Sequence, residues 1–232
     1  PCYPAYITRD IYSHNGYDVI ILVEDDLAEY LVNNFIHKIN LDENKRIQVL
    51  PVGGYDNTLD LHENFITDRI LTESSHIISI IDGDVQDIVR KKIDEDKLWS
   101  RIPNNNILFL PIESLEKYLK VQLFDMHNYE LMRKIRDRLF KFQTEPNWFE
   151  AQYRENINTK KKHDAEQNKP IKNDTEYFTN GKNLFSILSD EYVNNGGKKI
   201  EFRKAICQLV IDYNDYTSFE QRLGTALQQL FH

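Results

Sequence analysis

Two apolar runs in this chain each end in carboxylates. Asp18-Val19-Ile20-Ile21-Leu22-Val23 leads into Glu24-Asp25-Asp26, and His76-Ile77-Ile78-Ser79-Ile80-Ile81 leads into Asp82-Gly83-Asp84. Runs this apolar read as strands buried on both faces, and an open α/β sheet places ligands at the C-terminal edge of its strands. Acids gathered there repel one another unless a hard cation holds them, and Mg²⁺ takes oxygen ligands. In an extended tip Asp82 and Asp84 fall on one side of the strand, because alternate residues share a face. The chemistry to which this points is divalent-cation binding. A structural use competes with it: Asp84 is also placed to cap a helix beginning at Val85.

The flanking patterns describe what must position those acids. Leu27, Tyr30, Leu31, Asn34 and Phe35 recur at helical spacing and predict a helix over residues 27–39. Residues 46–52 read as a short strand ended by Gly53-Gly54, which either turns the backbone tightly beside the acids or closes an ordinary loop. A helix over 56–71, the strand 76–81, a helix over 85–98, the strand 107–110 and a helix from about Glu113 follow. Strand and helix alternating four times predict an α/β fold with a parallel sheet and right-handed crossovers. This core is expected over residues 1–121.

Residues 122–177 read as a helical insert and a Lys-rich loop. One long charged helix is expected over 122–142, with Met132, Ile135, Leu139 and Phe142 inward. Residues 156–176 show no apolar period and read as a loop or linker. Its lysines (Lys160, Lys161, Lys162, Lys169, Lys172) are either a solvated surface or a track for a phosphate backbone. Residues 178–232 look helical, with Leu184, Ile187 and Leu188, then Ile206, Leu209 and Val210, then Leu223, Leu227 and Leu230 inward.

The net charge of −8 argues against a general nucleic-acid coat, but not against an enzyme whose acids hold a metal. Cys2 and Cys207 form no Cys-x-x-Cys pair, which speaks against a thiolate zinc site and fits a cytoplasmic chain. No run is apolar and long enough to cross a membrane. No Gly-x-x-x-x-Gly-Lys-Ser/Thr loop occurs, so ATP hydrolysis by this chain is not expected. The seven histidines show no ligand spacing, and His62 and His76 read as structural.

Val23-Glu24 before a helix, then Pro51-Val52-Gly53-Gly54, then Asp82-Gly83-Asp84, resembles a Toprim domain, the metal-binding fold of topoisomerases, primases and certain nucleases. The segments Leu110-Pro111-Ile112-Glu113-Ser114-Leu115-Glu116-Lys117-Tyr118-Leu119 and Asn180-Gly181-Lys182-Asn183-Leu184 resemble the OLD (overcoming lysogenization defect) nuclease branch. The likeness spans roughly residues 16–125 and 178–190. It implies that Glu24 is a metal ligand or general base and that Asp82 and Asp84 hold one or two Mg²⁺ or Mn²⁺ ions. It further implies that Glu116, or else Glu113, completes a second metal site, and that Lys182 stabilises charge on a scissile phosphate. The family's glycine after the first glutamate, and its acid four positions on, are here Asp25 and Ala28. Asp26 or Glu29 would substitute only with a backbone shift, since i+2 and i+5 lie on another helical face than i+4.

The implied function is a metal-dependent endonuclease acting on DNA, with RNA also open, in anti-phage defence or repair. The resemblance also implies an ABC-type ATPase domain or subunit as partner, and a homo-oligomer. Because the chain starts at Pro1, it reads as an excised C-terminal half, or as a chain whose ATPase lies elsewhere. A primase- or topoisomerase-like domain is a rival within the fold, without a recognisable nucleophilic tyrosine or a zinc motif to support it. A non-catalytic module that uses residues 122–142 to dimerise or to dock an ATPase is a rival of another class. A receiver-like domain, the third, does not suit the Gly-Lys and Pro-Ile-Glu segments.

Overall fold

A computed structural model describes residues 17–39, 45–69 and 75–231. The chain begins with β1 (Val19–Val23), α1 (Asp26–Lys38), β2 (Ile47–Pro51), α2 (Tyr55–Thr67), β3 (His76–Ile81), α3 (Gln86–Asp94) and β4 (Ile107–Phe109). It continues through α4 (Leu115–Lys120), a π-helical turn (Val121–Asp125), α5 (Tyr129–Leu139), α6 (Glu150–Glu166), α7 (Lys182–Asn194) and α8 (Lys199–Tyr213). The last helix is α9 (Thr217–Leu230). The residues form two units: those up to Ser114 together with those from Asn214 onward, and Leu115–Tyr213. Whereas the sequence reading divides the chain at 121 and 177, the structure leaves the sheet unit at Ser114 and returns to it at Asn214.

In the first unit the four strands make one parallel sheet in the order β2-β1-β3-β4. The α/β architecture expected from the alternating pattern is therefore present. Central β1 is buried along its whole length, its five side chains at most 3 % exposed. Each such aliphatic side chain contributes roughly 1.5–3 kcal/mol relative to exposure, which is why an uninterrupted apolar run folds here. From β1 the chain moves to one side to make β2 and then to the other to make β3. The strand order thus reverses between β1 and β3, the position at which open sheets bind ligands.

Right-handed crossovers put α1 on one face and α2 and α3 on the other. On the α2/α3 face, Ile20, Leu22 and Ile77 pack with Leu61 and Phe65, and Ile81 packs with Leu59, Val89 and Ile107. On the other face α9 covers α1, the Phe35 ring lying 4.8 Å from Phe219 and 5.6 Å from Tyr216, edge on. One polar pair is sealed into the α2/α3 side. His62 of α2 and Ser79 of β3, both fully buried, share a hydrogen bond of 2.8 Å between Nδ1 and Oγ.

The second unit corrects two expectations. The helix expected over 122–142 is broken. After the π-helical turn His127 adopts φ +49°, which no right-handed helix accommodates, and Asn128 then caps α5 by accepting from the Leu131 N–H at 3.1 Å. Met132, Ile135 and Leu139 are buried as expected, but Phe142 lies beyond the helix and is 49 % exposed. The loop expected over 156–176 is largely helix, because α6 runs from Glu150 to Glu166. Its inward face is only Tyr153, Ile157 and Asp164, too sparse to register as a period, and Pro170 comes after the helix has ended. Lys160, Lys161 and Lys162 sit on this helix, where Lys160 pairs with Asp164 at 3.2 Å and Lys161 with Asp174 at 2.5 Å, while Lys169 and Lys172 follow it. Cys207 is buried in α8, while Cys2 falls outside the described residues. Among the described residues no helix is long and apolar enough to cross a membrane.

Candidate metal centre at the strand tips

Parallel pairing in register brings the ends of β1 and β3 level, Val23 opposite Ile80. The next residues are Glu24 and, one further on in β3, Asp82. The Asp82 backbone N–H donates to Glu24 Oε1 at 3.0 Å, so the glutamate side chain spans the gap between the two tips. The Glu24 carbonyl in turn accepts from the Gly53 N–H at 2.8 Å, tying the tip of β1 to the glycine turn after β2. A second backbone donor reaches the Glu24 carboxylate from Tyr55, the first residue of α2. Gly54, at φ +67°, makes the turn that aims that helix end at the carboxylate.

Burial outweighs these donors. The Glu24 carboxyl is pushed above its ordinary pKa of 4.5, first by desolvation and then by the charges of Asp84 and Asp25. The groups that act on it are backbone N–H groups and other carboxylates. A carboxyl whose folded pKa is raised contributes stability below its ordinary pKa and loses it as pH rises through the folded value. In metal-free protein near neutral pH, Glu24→Gln is therefore expected to melt above wild type. The gap should close as pH falls below about 4.5. A variant that melts at or below wild type throughout would overturn the assigned shift.

Asp25 and Gly83 shape the tips. The Asp25 side chain accepts from the N–H groups of Leu27 (2.9 Å) and Ala28 (3.0 Å) and caps α1, a role readable from an acid placed just before an apolar periodic stretch. Its place after Glu24 thus has a structural cause. Gly83 separates the two aspartates because no other residue fits: a Cβ there would stand 2.6 Å from the Ile112 carbonyl oxygen and 2.8 Å from that of Leu110. The Gly83 N–H donates to the Ile112 carbonyl at 2.9 Å, and the Asp84 N–H to that of Glu113 at 3.4 Å. Asp84 lies in the short 3-10 turn Gly83–Val85 and is exposed. It does not cap a helix: no side-chain cap bond forms at α3, whose cap position is Val85.

The candidate residues therefore separate by unit. Glu24, Asp82 and Asp84 all lie at the strand tips of the first unit, Glu24 bonded to the Asp82 backbone and within reach of the Asp84 charge; Glu113 accepts from the Asp84 N–H through its carbonyl, and exposed Asp26 opens α1. Glu116 and Lys182 lie in the second unit. There Gly181, at φ +73°, packs so closely on the Glu116 backbone that a Cβ would overlap its carbonyl. Lys182 opens α7 and is exposed.

The tip donors are all hard oxygens, the set suited to Mg²⁺ or Mn²⁺. Among the described residues no three acidic, histidine or cysteine side chains stand together as a ready-made ligand group. Mg²⁺ does not require three, since it commonly keeps several waters and binds through one or two carboxylates plus substrate phosphate. A desolvated Glu24 beside two further negative charges fits that demand. Comparison of this chain with protein-family models, curated proteins and solved structures finds no match.

Proposed function

We propose that this chain is a metal-dependent endonuclease module that hydrolyses phosphodiester bonds of DNA. In this reading it works with an ABC-type ATPase domain or subunit, in anti-phage defence or repair. The observation that carries the reading is the Glu24 carboxyl: half-buried at the strand-order reversal, bonded to the Asp82 backbone, and raised in pKa by burial and by the charges of Asp84 and Asp25. Glu24 and Asp84, whose charges act on each other, would hold the ion together with Asp82. A divalent ion supplies Lewis-acid polarisation of the phosphate and a more acidic water. The alternative role for Glu24, in place of ligation, is to accept a proton from the attacking water, a task for which a raised carboxyl pKa is suited. The Asp82 N–H fixes the orientation of that carboxylate through its bond to Oε1. Glu116 and Lys182 enter this reading through the Toprim and OLD-family resemblance alone.

The test is nicking of supercoiled plasmid with Mg²⁺ or Mn²⁺. Wild type should cleave, and Glu24→Gln and Asp82→Asn should lose roughly 10²–10⁴-fold in rate. The same ions at saturation should raise the melting temperature of wild type, by linkage worth about 2.7 kcal/mol at a hundredfold excess over Kd, and should not do so in the variants. A folded wild type that neither cleaves nor gains stability from either ion would sink the proposal and favour a non-catalytic docking module.

A further inference from the structure

The edge of the sheet carries a feature that the strand tips do not use. A groove of about 490 Å³ runs along β4, walled by α3 on one side and α9 on the other, all within the first unit. Its floor includes Ile107, Leu108 and Phe109. Three consecutive strand residues can line one groove only along an open edge, since alternate side chains point to opposite faces. The volume lies within the roughly 300–1,000 Å³ of ordinary ligand sites.

The chemistry of the walls is one-sided. Arg90 of α3 and Arg222 of α9 both line the groove, and among the described residues no carboxylate does. Asp94 borders only the smaller recess, about 190 Å³, that continues past Arg90. Each guanidinium sits over an aromatic ring, Arg90 5.8 Å from the centre of Phe109 and Arg222 5.8 Å from that of Phe219. With its amide oxygen turned inward, Gln86 accepts from Arg90 Nε (3.2 Å) and Nη2 (3.1 Å), which holds the plane in place. The remaining polar lining is neutral: amides such as Asn104 and Gln221 and hydroxyls such as Thr225. In a chain of net charge −8 this is a local cationic site surrounded by hydrogen-bonding groups.

We infer that this groove binds a single strand of nucleic acid, its phosphates on Arg90 and Arg222 and its bases against the Phe109 ring and the flanking amides. Guanidinium groups bind phosphate bidentately, and single strands are held by planar side chains together with edge hydrogen bonds. A peptide added as a strand suits the groove less well, because β4 offers only three residues of edge. Phe109 is also the register partner of Ile81, the residue before Asp82. With neighbouring strands about 4.8 Å apart, the groove begins beside the acidic tip. Insofar as the strand is a substrate for those tips, the inference rests on the proposed nuclease activity.

The experiment is fluorescence anisotropy of a short fluorescein-labelled single-stranded oligonucleotide with the full chain in EDTA. Wild type should bind, and more weakly as salt rises. Arg90→Ala/Arg222→Ala should weaken binding at least ~10-fold and reduce the slope of log K against log salt by about 1.4, two phosphate contacts at ~0.7 each. Arg90→Lys/Arg222→Lys should recover binding only in part, since a point charge lacks the planar fork. The inference fails if wild type does not bind, or if the arginine variants bind as wild type does. It also fails if polyglutamate competes as strongly as the oligonucleotide, or if Lys134→Ala/Arg138→Ala on the exposed cationic flank of α5 causes the loss instead. Binding without cleavage under any ion would remove the nuclease reading and leave the groove. Cleavage and binding both intact in the arginine variants would remove the groove alone.

Discussion

Acidification is expected to cost the first unit about 1.4 kcal/mol per pH unit below about pH 6.5, through His62 alone. The side chain is sealed between α2 and β3, its Nε2 has no hydrogen-bond partner among the described residues, and burial lowers its pKa from 6.5 to about 3. In the unfolded chain the imidazole takes up a proton near pH 6.5, whereas in the folded chain it does not until near pH 3. Between those values the unfolded state binds more protons. Stability is therefore complete above about pH 6.5 and drains away as pH falls toward 3, on the order of 4–5 kcal/mol over the whole interval. Urea unfolding of wild type and His62→Asn at several pH values between about 7 and 5 reads this directly. Asparagine can keep a bond to Ser79 from the Nδ1 position but has no proton to gain. Wild type should lose roughly 2 kcal/mol more than the variant by about pH 5. Parallel profiles would mean that His62 is reached by water or protonated in place.

A comparably large loss is expected from Gly181→Ala, in the second unit. Gly181 adopts φ +73°, where an added Cβ costs about 1–2 kcal/mol, and that Cβ would be driven into the Glu116 carbonyl. Backbone is the neighbour here, so no side chain can rotate away, and relief requires shifting α7 against α4 at about 1–3 kcal/mol more. The sum, about 2–5 kcal/mol, corresponds to a fall of roughly 10 °C or more in the melting temperature of a unit this size. Lys182→Ala, one residue on at an exposed site, should leave melting unchanged. If Gly181→Ala melts with wild type, the close packing of α7 on Glu116 is wrong. The pair also separates the two explanations for a glycine before Lys182, since only the glycine variant should disturb the fold.

How much of this was legible beforehand depends on how each element is stabilised. The strands β1 and β3 announced themselves because both their faces are buried, so the apolar runs are continuous and the acids beyond them stand out. The tip at Gly83 could be located but not explained, because the carbonyls of Leu110 and Ile112 that exclude a side chain come from another segment. Helix α6 escaped notice because tertiary contacts through Tyr153 and Ile157 hold it in place of an apolar stripe. The break at His127 was hidden for the opposite reason: Met132, Ile135 and Leu139 keep helical phase on one side of it, and histidine, though enriched among residues at positive φ, is too common inside helices to mark a break by itself. Arg90 and Arg222 were unreadable as a pair, since only the return of α9 to the sheet brings them to one groove.

That return has a consequence for how the protein comes into being. Translation delivers residues in order, so the whole of Leu115–Tyr213 has been synthesised before Asn214 is added. The sheet unit, by contrast, waits for its last helix: until Thr217–Leu230 emerges, Phe35 and the rest of that flank of α1 lack the rings of Tyr216 and Phe219. At about 5–20 residues per second, roughly a hundred residues of intervening chain impose a delay of several seconds. The acid-bearing sheet is begun first and finished last, and in that interval its bare flank is the surface a nascent-chain chaperone would meet.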